Sequence, residues 1–324
     1  MSKTTWTWVR ALLSAAALAW VLSRTPFRSV LEILQSCSVP LAVAGVALNV
    51  VTRLAAAERT QVMNRALGLL VTRAQTIATL FVSNFYALLS PGPWLSGVVT
   101  VYRYKSLGAS FTGSISSLLA SRAVEALAFL FWGAAFALCD AHLDRVAARS
   151  FAQYLFMIMS LAAVLAIAGW AWHHRRPEKE PLIMTKRMPR LAKLREMGAQ
   201  LLRMGPAVTI RAAVPATIQL LMSGAGLVLL ARAVGCDMAW TSGMWIAAVV
   251  YAVVLLPISI AGLGVRDVTL VKCFAMLGFA PRAAVAVSLL LLLDQLISAA
   301  IGAVLQLSTT LAPASASAID AVRR

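Results

Sequence analysis

Long uninterrupted runs of apolar residues limit this chain's folding more than any other feature. The run from Ala283 to Leu307 contains one charged residue, Asp294, and the run from Ala152 to Trp172 contains none. About 20 such residues in a helix span the hydrocarbon core of a membrane. Within lipid, only helices and closed barrels satisfy their own backbone polar groups, and neither run shows the alternation of a barrel strand. The sequence therefore predicts an all-α fold, a polytopic transmembrane helical bundle.

Composition supports this class and argues against others. The chain has 324 residues, of which 60% are hydrophobic and 13% charged, whereas soluble domains carry about 25% charged residues. The net charge of +17 is typical of cytoplasmic loops rich in Lys and Arg, so we predict no nucleic-acid partner. Four cysteines stand far apart and only three histidines occur, so we predict no metal, no cofactor and no disulfide framework.

Apolar runs separated by polar loops define the expected spans. Two further segments, Ala74–Leu89 and Trp240–Leu256, are broken by Pro and Gly at residues 90–93 and 257–264. Tryptophans near span ends, among them Trp240 and Trp245, are predicted to anchor at the membrane surface. The predicted spans are Trp8–Leu22, Pro40–Leu54, Phe111–Leu138, Ala152–Trp172, Ala207–Ala231 and Ala283–Leu307.

The stretch from His173 to Met204 is polar and strongly basic, which predicts a cytoplasmic linker over residues 173–206. This linker suggests two membrane repeats, one over residues 1–150 and one over 151–307. Residues 308–324, rich in Ala and Ser, are predicted to be a disordered tail. The first span, which resembles a signal peptide, is expected to be retained. The expected location is the inner (plasma) membrane, with multiple passes.

The distribution of Lys and Arg predicts the topology. If both broken segments are re-entrant, most of the 29 Lys and Arg residues face the cytoplasm, including those from Arg53 to Arg73. The order span, span, re-entrant segment, span then occurs twice with opposite orientation. Leu107-Gly108 and Leu277-Gly278 stand at matching positions of the two halves. We therefore predict two inverted repeats, an arrangement in which transporters place their site near the membrane midplane.

Two charged residues of the span from Phe111, Arg122 and Glu125, are three positions apart and share a helix face. Charges within a membrane are costly and face each other or a cavity, so the pair is a candidate for lipid binding or a packing ion pair. Asp294, alone in a Leu-rich span, is a candidate for proton coupling, and a packing role fits it equally well.

Three motifs extend these observations: Asn84 to Gly92 (NFYALLSPG), Ser121 to Glu125 (SRAVE) and Leu256 to Asp267 (LPISIAGLGVRD). Together they resemble the transmembrane-domain family of lysylphosphatidylglycerol synthases and flippases, and the resemblance covers nearly the whole chain.

The resemblance implies a flippase-like integral membrane protein that handles anionic, aminoacylated or polyprenyl-linked lipids. Synthases of the family carry a soluble catalytic domain after the membrane region; this sequence holds none, so we do not expect synthase activity. The family often places an acid shortly after Pro91-Gly92, and none follows here, so the first half-site is expected to be altered.

The broken segments supply the other candidate lipid-binding residues. Pro and Gly there permit sharp turns that expose backbone N–H groups, which favour phosphate. Arg266 could hold a lipid phosphate, or instead reach the membrane surface as a simple turn residue. The candidates, besides Arg122 and Glu125, are Asn84, Tyr86, Pro91, Gly92, Gly262, Gly264, Arg266 and Asp267.

The sequence thus predicts a flippase-like protein that translocates or binds an anionic lipid, with phosphatidylglycerol-like lipids and polyprenyl phosphates as the expected partners. Two alternatives stay open. One is an integral-membrane transferase for lipids or glycolipids, for which Asp140 and Asp144 would be the acids. The other is a non-transporting accessory subunit that presents the basic linker to an envelope-biosynthesis enzyme.

Overall fold

A computed structural model describes residues 32–33, 35–89, 94–142, 150, 205–255 and 264–311. Eight helices and no strand occur in these ranges, which confirms the predicted all-α membrane fold. The predicted span Trp8–Leu22, the span Ala152–Trp172, the basic linker and the tail lie outside them. The helices are α1 (Val39–Ala66), α2 (Arg73–Leu89), α3 (Trp94–Ser106), α4 (Phe111–Cys139), α5 (Gly205–Ala233), α6 (Trp240–Leu255), α7 (Val265–Met276) and α8 (Pro281–Leu311).

Four of these helices, α1, α4, α5 and α8, are long and apolar enough to cross a membrane. Large apolar side chains on them point outward, such as Val43 at 61%, Ile210 at 66% and Val304 at 65% exposed. Such side chains are stable against lipid, whereas in water they would form an unfavourable apolar surface. The fold is therefore that of an integral membrane protein.

One predicted helix end was wrong. The second span was expected to stop at Leu54, with a polar stretch following in the cytoplasm, but α1 continues to Ala66. No Gly or Pro occurs after Gly45 until Gly68, so the sequence holds no stop signal within this stretch. The extension places Arg53 and Arg59 on a membrane-spanning helix.

Short helices pair where the sequence predicted broken segments. Helix α2 packs against α3, and α6 packs against α7. With 17, 13, 16 and 12 residues, these helices are about 18 to 26 Å long, less than the roughly 30 Å hydrocarbon core. The lengths agree with re-entrant segments, while the opposite orientation of the two halves stays a prediction.

The two halves also share a type of helix end. Helices α1, α3, α5 and α7 are followed by a glycine with positive φ: Gly68, Gly108, Gly235 and Gly278. In each case the N–H of the next residue bonds to the carbonyl five residues back, at 2.8 to 2.9 Å. This geometry satisfies free carbonyls at a helix end and favours glycine. The two Leu-Gly pairs in the sequence therefore mark helix ends of the same type.

Helices α1 and α5 pack as an antiparallel pair at the centre of the described bundle. The N–H of Ser38 donates to the carbonyl of Ala233 at one end (2.9 Å), and Met63 packs against Ala212 near the other. Gly226 brings α5 close to α1, since a Cβ there would lie 2.8 Å from the Asn49 amide. Helices α4 and α8 both contact this pair, so polar side chains from several spans meet at mid-length.

Candidate functional site

A buried carboxylate, that of Glu125, connects three helices. Its Oε2 lies 2.9 Å from Nη1 of Arg122 on the same helix, α4, and 3.0 Å from Nη2 of Arg59 on α1. Its Oε1 accepts a hydrogen bond of 2.8 Å from the amide of Gln219 on α5. Two guanidinium groups and one carboxylate leave this cluster, the Glu125 network, with a net charge of +1.

Arg59 is fixed within the Glu125 network on all sides. Its side chain is 3% exposed and its Nε donates to the Ser121 hydroxyl at 3.0 Å. Its Nη1 also donates to the Gln219 side-chain oxygen. Thr60 lies 3.1 Å from Ser121, which completes a shell of short polar residues. A buried charge with this many partners is held in one position, so Arg59 acts as a fixed support for Glu125.

Arg122 differs from Arg59 in its exposure. Its side chain is 49% exposed although it lies near the middle of the 29-residue helix α4. Exposed apolar residues, Leu119 and Leu127, stand on the adjacent face. Its guanidinium donates to Glu125 at 2.9 Å, and a guanidinium has five N–H donors in all. The arrangement therefore presents a positive charge beside an apolar face.

A tyrosine hydroxyl lies beside the Glu125 network. Tyr251 of α6 packs its ring 4.4 Å from that of Phe129, and its hydroxyl lies close enough to Glu125 and Arg122 to interact with both. Polar groups that interact in a buried setting strengthen one another, so Tyr251 is a further member of the candidate site.

Arg266 and Asp267, predicted from the sequence, also lie together, but both are buried. The Asp267 carboxylate accepts from the backbone N–H of Gly264 at 3.0 Å and so caps α7. Arg266 Nε lies 3.4 Å from the same carboxylate, and its Nη2 lies 3.3 Å from the carbonyl of Ser288 on α8. Arg266 is 5% exposed and packs against α8, so its lipid-binding role stays a prediction.

The remaining predicted residues are spread over the bundle. Asn84 and Tyr86 are half-buried on α2, and the Tyr86 ring stacks edge-on against Phe85 at 5.3 Å. Asp294 of α8 lies 3.6 Å from Arg53 of α1. Three predicted residues, Pro91, Gly92 and Gly262, lie outside the described residues.

The carboxylate of Asp140, an acid considered for the transferase alternative, is engaged in structural hydrogen bonds. Asp140, at the end of α4, accepts from the Ser242 hydroxyl at 2.5 Å and from the Trp245 indole at 2.7 Å, and its other oxygen accepts from the His142 N–H. Burial alone would raise the pKa of Asp140, but these hydrogen bonds outweigh it and hold the pKa below its usual range. The predicted surface anchor Trp245 is thus buried instead, at 2% exposed.

Sequence reasoning missed Arg59, Gln219 and Arg53. A signal was available for both arginines, since the absence of a stop before Gly68 predicts that α1 continues through them. Gln219 carried no signal, because a single Gln in an apolar span becomes notable only once its partner is known. Among the described residues, no group of three or more His, Cys, Asp and Glu side chains is placed to bind a metal.

These observations define the class as a polytopic α-helical membrane protein with a buried, net-positive polar network at the middle of its spans. Residues 7–304 match the family described as lysylphosphatidylglycerol synthase TM region. The match covers most of the 324 residues, so the chain belongs to this family and has a membrane lipid context. No curated protein shows a significant match to the chain.

Proposed function

We propose that this protein is a flippase-like carrier that binds an anionic membrane lipid at Arg122 and moves its headgroup between leaflets of the plasma membrane. One observation carries the proposal: Arg122 is half exposed near the middle of a spanning helix. A guanidinium at this depth is costly unless a polar group or water meets it. A lipid phosphate would meet it, because guanidinium donors match phosphate oxygens in charge and geometry.

The Glu125 network supports an anionic ligand over a cationic one. Its one carboxylate is engaged by Arg59, Arg122 and Gln219, so it is not available to a cationic headgroup. The guanidinium of Arg122 is the cationic group of the network that is partly exposed. A phosphate-bearing headgroup, as in phosphatidylglycerol or a polyprenyl phosphate, therefore fits the site's charge.

The surroundings of Arg122 support a ligand that arrives from the lipid phase. Leu119 and Leu127 are 48% and 40% exposed on the face beside Arg122. Acyl or prenyl chains can pack against such a face as they do elsewhere in the bilayer, since lipid tails are as apolar as leucine side chains. A headgroup could then reach the guanidinium while its chains stay in the membrane. The described helices follow the order long, short, short, long twice, and this order supports the repeated arrangement that many transporters use.

Lipid transfer in proteoliposomes tests the proposal. Labelled phosphatidylglycerol, its lysyl ester, phosphatidylcholine and a polyprenyl phosphate would be placed in one leaflet, and transfer would be followed for wild type, Arg122→Gln and Arg73→Gln. Arg73 is the matched control, since it is a surface arginine, 64% exposed, paired with Glu58.

We expect wild type to transfer an anionic lipid, and Arg122→Gln to lower the rate about tenfold or more, because a hydrogen bond to a charged group contributes about 1.5–3 kcal/mol. The Arg73→Gln rate should match wild type. Equal rates for the three proteins would refute the role of Arg122. Folded wild type that transfers none of the lipids, with or without an imposed proton gradient, would refute translocation.

A further inference from the structure

A second set of buried polar groups lies where α1 and α8 meet, separate from the Glu125 network. Asp294 and Ser298 stand one helical turn apart on α8 and are 5% and 0% exposed. Asp294 Oδ2 lies 3.6 Å from Arg53 Nη2, beyond ordinary hydrogen-bond distance. In the part of the chain that the structure describes, Asp294 Oδ1, the Ser298 hydroxyl and Arg53 Nε have no hydrogen-bond partner.

The two carboxylates near the middle of spanning helices, Glu125 and Asp294, therefore differ in their polar partners. Glu125 has two guanidinium partners and an amide donor, all within 3.0 Å. Asp294 has one distant guanidinium and an oxygen with no partner. An ionised carboxylate away from water needs close pairing and hydrogen bonds, and without them it becomes neutral by taking up a proton. Carboxylates in such contrasting surroundings commonly perform different tasks.

We propose that Asp294 is a proton-binding site, with Arg53 as the partner of its ionised form and Ser298 as the neighbouring hydrogen-bond group. Protonation converts the carboxylate to a carboxylic acid, with the proton taken from water and no other bond changed. The acid no longer attracts Arg53, so the contact between α1 and α8 loosens. Release of the proton restores the ion pair.

Few charged groups act on Asp294, so a single proton changes the local charge balance substantially. Arg53 of α1 and Arg266 of α7 are the charged groups that act on it. Helices α2 and α5 also pack against α8, and within their described residues they contribute no charge that acts on Asp294. Arg266 is already engaged by Asp267 and Ser288, so Arg53 is the partner free to respond.

Coupling to transport follows from the position of Arg53, and this part of the inference rests on the proposed function. Helix α1 carries both Arg53, which meets Asp294, and Arg59, which supports Glu125. A change in how α1 is held by α8 therefore reaches the lipid site through one rigid helix. A proton gradient could drive lipid movement by this route.

Infrared difference spectroscopy of the purified protein tests the proton site without any transport. The carbonyl stretch of a protonated carboxyl would be followed as the pH is lowered, for wild type, Asp294→Asn, Arg53→Gln and Asp237→Asn. Asp237 is the matched control, because it lies 3.7 Å from Arg232 yet is 98% exposed.

The other carboxylates also take up protons as the pH falls, so the Asp294 signal is the component of the protonated-carboxyl band that Asp294→Asn lacks and Asp237→Asn retains. We expect its midpoint to lie above that of the component lost in Asp237→Asn. In Arg53→Gln this midpoint should move up by about one pH unit or more, since an opposite charge within about 4–6 Å favours the ionised form. An Asp294 component with the same midpoint as that of Asp237, or a midpoint unchanged in Arg53→Gln, would overturn the proposal. Should Asp294→Asn fail to fold, the midpoint of Arg53→Gln decides alone.

The coupling is tested separately in proteoliposomes. We expect a pH gradient to change the lipid transfer rate of wild type several-fold and to leave the rate of Asp294→Asn unchanged. An equal response of both proteins would overturn the coupling. Wild type that transfers no lipid would refute the proposed function and remove the coupling with it, while the infrared result would still decide the proton site.

Discussion

Replacement of Glu125 by Gln tests whether the Glu125 network holds the bundle together. The substitution keeps the size of the side chain but removes the negative charge that faces Arg59 at 3.0 Å. Arg59 is 3% exposed, so its charge would stay buried without an ionic partner. Breaking a buried pair by removing one member costs about 3–5 kcal/mol, because the other charge is left uncompensated. We expect a loss of this size in the free energy of unfolding.

The matched comparison is Arg122→Gln. Without Arg122 the Glu125 carboxylate is still paired with Arg59 at 3.0 Å and bonded to Gln219, so Arg122→Gln should cost less stability than Glu125→Gln. The double variant Arg59→Gln/Glu125→Gln removes both buried charges. It should lose less stability than the sum of its two single variants, as expected for directly coupled residues.

Unfolding by SDS of the protein in detergent micelles, followed by circular dichroism, gives these free energies for all four variants. The reasoning is refuted if Glu125→Gln loses no more stability than Arg122→Gln. It is also refuted if the double variant loses the full sum of the single effects, since Arg59 and Glu125 would then not depend on each other.

Two further predictions concern packing and pH. Gly302→Val should strongly lower the yield of folded protein, because a Cβ at Gly302 would lie 2.1 Å from the Phe81 carbonyl of α2. At Gly108 a Cβ meets nothing within 4 Å, so Gly108→Ala should lower the melting temperature only slightly, through the positive φ of this residue. The lowered pKa of Asp140 means that its ionised form stabilises the fold above the unfolded-state pKa of about 3.9. This stability is lost as the pH falls through the folded-state pKa, so the melting temperature of wild type should drop below about pH 4 more steeply than that of Asp140→Asn. Equal slopes, or a folded Gly302→Val protein with wild-type stability, would contradict these predictions.

Local chemistry explains why the sequence was informative about the elements. Long apolar runs such as 283–307 have one stable form in lipid, the helix, so the fold class was predictable without any tertiary contact. Pro and Gly near residues 90 and 257 interrupted two segments, and the structure has short paired helices beside both. Leu-Gly pairs marked the ends of α3 and α7, because a left-handed residue there favours glycine.

The same local reasoning identified part of the candidate site. Arg122 and Glu125 could be paired from sequence alone, because their spacing of three places them on one helix face. Asp294 could be singled out as an isolated acid in an apolar run. The polar character of Arg53 to Arg73, however, suggested that the span ends at Leu54, whereas α1 continues to Ala66 and polar partners surround the buried Arg59.

The amino-acid sequence by itself determined that the chain forms a bundle of membrane helices, where two of its segments break, and to which family it belongs. Only the tertiary structure decided which charges are neutralised and which stay available. Arg59, Glu125 and Gln219 come from three helices distant in sequence, and no local pattern encodes their contact. Burial fixes Arg59 among its partners, whereas Arg122 is half exposed, because an arginine's surroundings depend on how the helices that flank it pack.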